Sequence, residues 1–122
     1  SGWSGMDGEI SPSEVEALLE TDDPPRVVDI RSPAAFRRGH IPGSENIPFN
    51  ELPQRVASLD DADHIVTVCP HGHSSIQAAR LIAAYEGTDT ARVESMHGGL
   101  TEWDGGIEAA SAAPDEGPST PF

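Results

Sequence analysis

The chain has no lysine and a single cysteine among its 122 residues, with hydrophobic residues at 36% and aromatic residues at only 5%. One cysteine excludes an intrachain disulfide and removes the case for an oxidising compartment, so a cytoplasmic setting is expected. No apolar run approaches the roughly 18 residues that suggest a membrane span. The N-terminus also lacks the basic and apolar regions of a secretory signal. Adding the 12 glycines brings the apolar content close to the globular norm of about 45–50%, and the length suits one ordinary domain.

Positive charge is scarce as well: seven arginines stand against 21 acidic residues, for a formal net charge of −14. Such a surface repels nucleic-acid phosphates and anionic membranes, so neither is expected as a partner. At about 1 M salt the Debye length falls to about 3 Å and self-repulsion is largely screened. The acidic shell therefore suits a salt-loving source with an acidic proteome, and no specific basic partner is needed to account for it.

Along the chain, Ser1 to Gly5 read as an expression remnant ahead of Met6, residues 6–108 as the domain, and residues 109–122 as a mobile tail of Ala, Ser, Pro, Gly and acid. Within the domain, strand and helix signals alternate. Ser11 caps a helix with Pro12 in its first turn and Glu14 completing a capping box, after which Val15, Leu18 and Leu19 share one face. "RVVDI" is a buried strand halted by Ser32-Pro33, and "SPAAFRR" follows as a short helix. Residues 39–48 form an extended, turn-rich connection around Pro42-Gly43. "FNELPQRVASL" offers a helix with Asn50 as a possible cap, provided that Pro53 falls in the first turn. "HIVTVC" is a second buried strand, Ser74 to about Glu86 a helix with Ala78, Leu81, Ile82 and Tyr85 inward, "ARVESM" a weaker strand, and "GGLTEW" the start of a last helix. Strands separated by helices give an α/β fold, a mainly parallel central sheet with helices on both faces. Ligands of such sheets gather at the carboxyl ends of the strands.

Cys69 occupies one of those ends. The segment Cys69-Pro70-His71-Gly72-His73-Ser74 must turn tightly into the following helix, and Gly72 can supply a positive φ. A backbone curling around the sulfur would aim successive N–H groups at it, reinforced by the helix dipole, and would favour a thiolate or hold a persulfide. A free cysteine is also among the most buried residue types, so from placement alone a reactive and an inert Cys69 stand equally.

Three blocks decide between them. "VVDIRSPAAFRRGHIPGSENIP", "VCPHGHSS" and "HGGLTEW" together resemble, in order, the entry segment, the Cys-x-x-Gly-x-Arg-Ser loop and the Gly-Gly-x-x-x-Trp close of single-domain rhodanese-like proteins, over residues 8–108. The resemblance implies a rhodanese-like fold and a sulfurtransferase without a cofactor. In it Cys69 takes sulfane sulfur from a small anionic donor such as thiosulfate, or from a persulfide, and passes it to cyanide, a thiol or a sulfur-relay protein. Cys69 is then the catalytic nucleophile, and Pro70, His71, Gly72, His73, Ser74 and Ser75 bind the donor. Asp29 and Arg31 match the family's Asp-x-Arg and are expected to tie loops near the site, with His40 as a turn anchor.

Two family contacts to an anion are missing, because Ser74 stands at the usual arginine position and Pro70 replaces an often basic residue and removes an N–H. His71 and His73 are candidate substitutes, although an ordinary imidazole is fully charged only below about 6.5. Arg80 is a surface residue that could steer an anion, and Phe36 and Trp103 read as core or rim aromatics. A Cys-x5-Arg phosphatase is disfavoured, since Ser75 occupies the arginine position. A metal site from Cys69, His71, His73 and His97 is disfavoured too, because alternate residues on a tight loop rarely converge and no second cysteine exists. The more serious rival is a non-catalytic binding or regulatory module of the same fold.

The charge balance makes one prediction. The melting temperature should rise as KCl is raised toward molar concentrations; a fall would contradict the inferred role of the acidic shell.

Overall fold

In the computed structural model, residues 8–88 and 91–108 are described; the expected remnant Ser1 to Gly5 and the expected tail from residue 109 lie outside them. Five strands form one sheet: β1 (Gly8–Ile10), β2 (Arg26–Asp29), β3 (Glu45–Asn46), β4 (His64–Val68) and β5 (Arg92–Met96). Their spatial order is β1-β5-β4-β2-β3, and every pairing is parallel. The expected parallel sheet is therefore present, with β4 at its centre.

Parallel strands need crossovers, and four helices belong to them: α1 (Pro12–Leu19), α2 (Pro33–Arg38), α3 (Leu52–Arg55) and α4 (Ser74–Ala84). Helix α1 begins on the anticipated capping box, with Glu14 N donating to Ser11 Oγ and Ser11 N donating to Glu14 Oε1, each at 3.2 Å. Helix α3 is shorter than its sequence pattern suggests. It lies between 3-10 turns at Phe49–Glu51 and Val56–Leu59; Glu51 is its N-cap, and Asn50 belongs to the first of these turns. Pro53 does fall in the first turn of α3.

Alternation along the strands divides the core into two layers. Val28, Ile65, Cys69 and Val93 pack with Leu52, Val56, Leu59, Ala78, Ala79 and Ile82 on the side of α3 and α4. On the opposite face, Val27, Val66, Val68 and Met96 pack with Val15, Leu18 and Leu19 of α1 and with Leu100 and Trp103. Helices thus cover both faces, and the strands read as apolar runs because neither side meets water.

Two strands and one ending differ from the sequence reading. Strands β1 and β3 span three and two residues, too few for a visible period. "GGLTEW" makes only a 3-10 turn, Gly99–Glu102, with its N-cap Gly98 at φ +74° and its first residue Gly99 at φ +67°. A bridge between His40 and Glu108 then returns the chain to the end of α2, with reciprocal backbone bonds of 2.9 and 2.8 Å. Among the described residues no helix is long and apolar enough to cross a membrane.

Candidate active site

The central strand delivers Cys69 to the carboxyl edge of the sheet, where the chain must reverse into α4. Gly72, at φ +85° and buried, makes that reversal possible. Its amide donates to Cys69 Sγ at 3.0 Å, and the Ser75 amide, in the first turn of α4, donates at 3.3 Å. Cys69 itself is only 2% exposed. The residue is therefore both a member of the core and the focus of inward-pointing amides.

Ionisation of the thiol follows from opposing causes. Burial pushes it up, but hydrogen bonds from the Ser75 hydroxyl and from the amides of Ser75, Gly72 and His71 together outweigh burial and hold Cys69 below its ordinary value. The dipole of α4 acts in the same direction, because its N-terminus faces the sulfur. Since the folded value is depressed, the linked stability is fully present above the ordinary thiol range and is lost as pH falls through the depressed value.

Of the remaining loop residues, Pro70, His71, His73 and Ser74 are exposed, while Gly72 and Ser75 are buried. Pro70 contributes its carbonyl, which accepts from Thr101 N at 3.1 Å. Cys69 O accepts from Leu100 N at 2.8 Å. The loop is thus clamped from outside by the segment after β5, and the fit leaves no space. A Cβ on Gly99 would lie 2.4 Å from Cys69 O and 2.6 Å from the amide nitrogens of both Gly72 and His71. Sequence reasoning had placed Gly98-Gly99 in a motif but missed that it buttresses the cradle.

Asp29 and Arg31 are paired at the end of β2. The fully buried Asp29 carboxylate accepts from Arg31 N and Nε through Oδ1 at 3.0 and 2.9 Å, and from Nη2 through Oδ2 at 2.8 Å. Arg31 Nη2 also donates to Gly39 O at 2.6 Å. Asn46, which carried no sequence signal, donates to the carbonyls of Asp29 and Arg31 at 3.0 and 2.9 Å and so fixes the same turn. With its guanidinium occupied this way, Arg31 serves the turn. His40 is buried, stacked on Phe36 with centroids 3.8 Å apart, and its Nδ1 lies 2.7 Å from Phe36 O.

Away from this edge, a cavity of about 520 Å³ is lined by Ile10, Leu18, His64, Arg92 and Glu94, among others, and by no residue of the Cys69 loop. There the buried Glu94 carboxylate pairs with His64 Nε2 at 2.6 Å and with Arg92 Nη2 at 3.1 Å. The Arg92 guanidinium offsets the carboxylate's charge inside the fold. Among the described residues no three His, Cys, Asp or Glu side chains gather as a metal-binding group.

The protein is thus a parallel α/β domain with a cysteine cradled by backbone amides at the end of its central strand. Among such domains, the chain belongs to the rhodanese-like domain family, whose model matches residues 11–105. It is 37% identical over 94 residues to the thiosulfate sulfurtransferase GlpE of Pseudomonas aeruginosa, an alignment covering 77% of this chain and 81% of that protein. It is 28% identical over 100 residues to the putative sulfur carrier protein YrkF of Bacillus subtilis, covering 82% of this chain and 52% of that one. A rhodanese-like domain protein from Staphylococcus aureus superposes with a TM-score of 0.71 at 24% identity, covering 85% of this chain and 99% of that chain. These relationships support a sulfurtransferase-family role.

Gly99 offers the sharpest test of this geometry. Gly99→Ala should lower stability by about 2–4 kcal/mol through the positive φ and the backbone clash. It should also move the pH profile of Cys69 alkylation toward that of a free thiol, because the loop amides must shift. Unchanged urea midpoint and profile would show that the buttress is dispensable.

Proposed function

We propose that the protein is a sulfurtransferase that carries sulfane sulfur as a persulfide on Cys69. The observation that carries this reading is the convergence of the Gly72 and Ser75 amides on one sulfur at the start of α4. Cys69 is the nucleophile, and the segment from Pro70 to Ser75 is the cradle. Its relatedness to a thiosulfate sulfurtransferase and to a putative sulfur carrier supports the same assignment.

The chemistry has two halves. In the first, the Cys69 thiolate attacks the outer sulfur of thiosulfate or of a persulfide donor. A bond forms from Sγ to that sulfur, the donor's S–S bond breaks, and sulfite or the donor thiolate leaves with the electron pair. Negative charge now resides on the terminal sulfur, and fixed backbone amides can hold it without reorganising. In the second half, cyanide, a thiolate or a relay protein's cysteine attacks that terminal sulfur. The persulfide S–S bond breaks, its electron pair returns to Cys69, and the product leaves as thiocyanate or a new persulfide. Because Cys69 is the chain's only cysteine, no second thiol in the chain competes for the sulfur. Ping-pong kinetics follow.

Anion recognition here rests on backbone more than on side chains. Ser74 is exposed at the mouth, and Pro70 has no amide to offer. We therefore assign persulfide holding to the amides and expect weak affinity for thiosulfate. One observation favours the other reading, a binding or regulatory module: Cys69 is 2% exposed, so a donor must enter between exposed loop residues to reach it.

Intact-mass measurement separates the two. After incubation with thiosulfate or polysulfide the protein should gain the mass of one sulfur atom, removable by dithiothreitol, and Cys69→Ser should gain none while keeping the wild-type circular dichroism. No gain in the wild type would leave the binding module. Independently, Ser74→Arg should raise kcat/KM for thiosulfate by roughly 3- to 10-fold at low salt, since it restores a charge-assisted contact. An unchanged rate would show that donor binding is not limiting.

A further inference from the structure

Strand β5 carries a serine where its pattern calls for an apolar residue. Ser95 lies between Glu94 and Met96, is fully buried, and places Oγ 2.6 Å from Ser75 Oγ. Ser75 is fully buried too, and its backbone is held on two sides. Its amide donates to Cys69 Sγ at 3.3 Å, and its carbonyl accepts from Thr67 Oγ1 at 2.7 Å. The serine pair therefore adjoins the amide that reaches the sulfur, and the Ser75 hydroxyl is itself a hydrogen-bond donor to Cys69.

Two touching hydroxyls hold two protons and share one hydrogen bond, so one proton remains to be placed. If Ser75 donates to Ser95, the Ser95 proton needs another acceptor and Ser75 turns a lone pair toward the sulfur. With Ser95 as donor to Ser75, the Ser75 proton is free to reach Cys69 Sγ. Buried polar groups settle into the arrangement that satisfies them, and an anionic sulfur selects the second.

We propose that Ser95 is a positioning residue: it donates its proton to Ser75 Oγ and thereby aims the Ser75 proton at Cys69 Sγ, closing the cradle on its buried side. The inference rests on the reading of Cys69 as a working thiolate and deepens it. Backbone amides supply the sulfur's donors from the loop, and the Ser95–Ser75 relay supplies one from the sheet. Ionisable groups toward this edge are His71 and His73 on the loop itself, His97 after β5, Glu102 against Gly98, and Asp29 with Arg31 at the end of β2, while the same elements carry Arg26 on β2, His64 on β4, Arg80 on α4, and Arg92 and Glu94 on β5. A neutral substitution at Ser95 alters the charge of none of them.

The test reads the pH dependence of iodoacetamide alkylation of Cys69 in the full chain, with the urea midpoint of each variant recorded alongside. Ser95→Ala should move the midpoint upward by about half to one pH unit, and Ser75→Ala at least as far. In the Ser75→Ala background, Ser95→Ala should add nothing, because its effect passes through Ser75. The isosteric pair Ser95→Thr and Ser95→Val repeats the comparison at constant shape, with Thr keeping the wild-type midpoint and Val shifting it, should Ala prove unstable. A Ser95→Ala or Ser95→Val profile that coincides with wild type overturns the assignment, as does a shift that persists undiminished without the Ser75 hydroxyl. Alkylation reads the sulfur-free thiol, so its outcome is separate from persulfide formation. A wild type that gains no sulfur overturns the proposed function even if these shifts appear.

Discussion

Everything at the carboxyl edge of the sheet depends on a few amide hydrogens meeting one sulfur. Cys69 ends the central strand, so its position is set by β2 on one side and β5 on the other, while Gly72 and the first turn of α4 bring their N–H groups back to it. Burial by itself would push the thiol up. The donors hold it below its ordinary value instead, and they can do so because the turn, the helix start and the clamp by residues 98–101 are mutually fixed. Stability and reactivity share the same contacts.

Charge is handled differently inside and outside. The surface carries most of the net −14, whereas the buried carboxylates of Asp29 and Glu94 each have an arginine within 3.1 Å. Removing one partner of such a pair would leave an uncompensated buried charge, which is why these residues read as structural even where one lies near the site. Donors for the sulfur come instead from neutral amides and hydroxyls, whose contribution does not vary with protonation.

Much of the architecture was legible in the residues. "RVVDI" and "HIVTVC" announce buried strands because both of their faces are covered, Ser11 and Glu14 announce the start of α1, and the apolar spacing after Ser74 announces α4. The short edge strands were not legible. Strand β1 contains one apolar residue, Ile10, and β3 is Glu45-Asn46; their strand character comes from pairing with β5 and β2. "GGLTEW" reads as a helix start, yet it forms only the 3-10 turn Gly99–Glu102, whose Leu100 and Thr101 amides donate to the carbonyls of Cys69 and Pro70.

The candidate site divides along the same line. Sequence alone determined that one cysteine sits at a strand end before a glycine-bearing turn and a helix, since strand period, turn residue and helix spacing are local properties of a short segment. The local segment left open whether that thiol is inert, and no role beside the sulfur was legible in the sequence for Asn46, Ser95 or Gly99. Those residues are distant from Cys69 along the chain and act through hydrogen-bond vectors and close backbone approach, quantities that exist only once the strands are ordered β1-β5-β4-β2-β3. Tertiary structure decided the direction of each N–H, and the state of the sulfur follows from those directions.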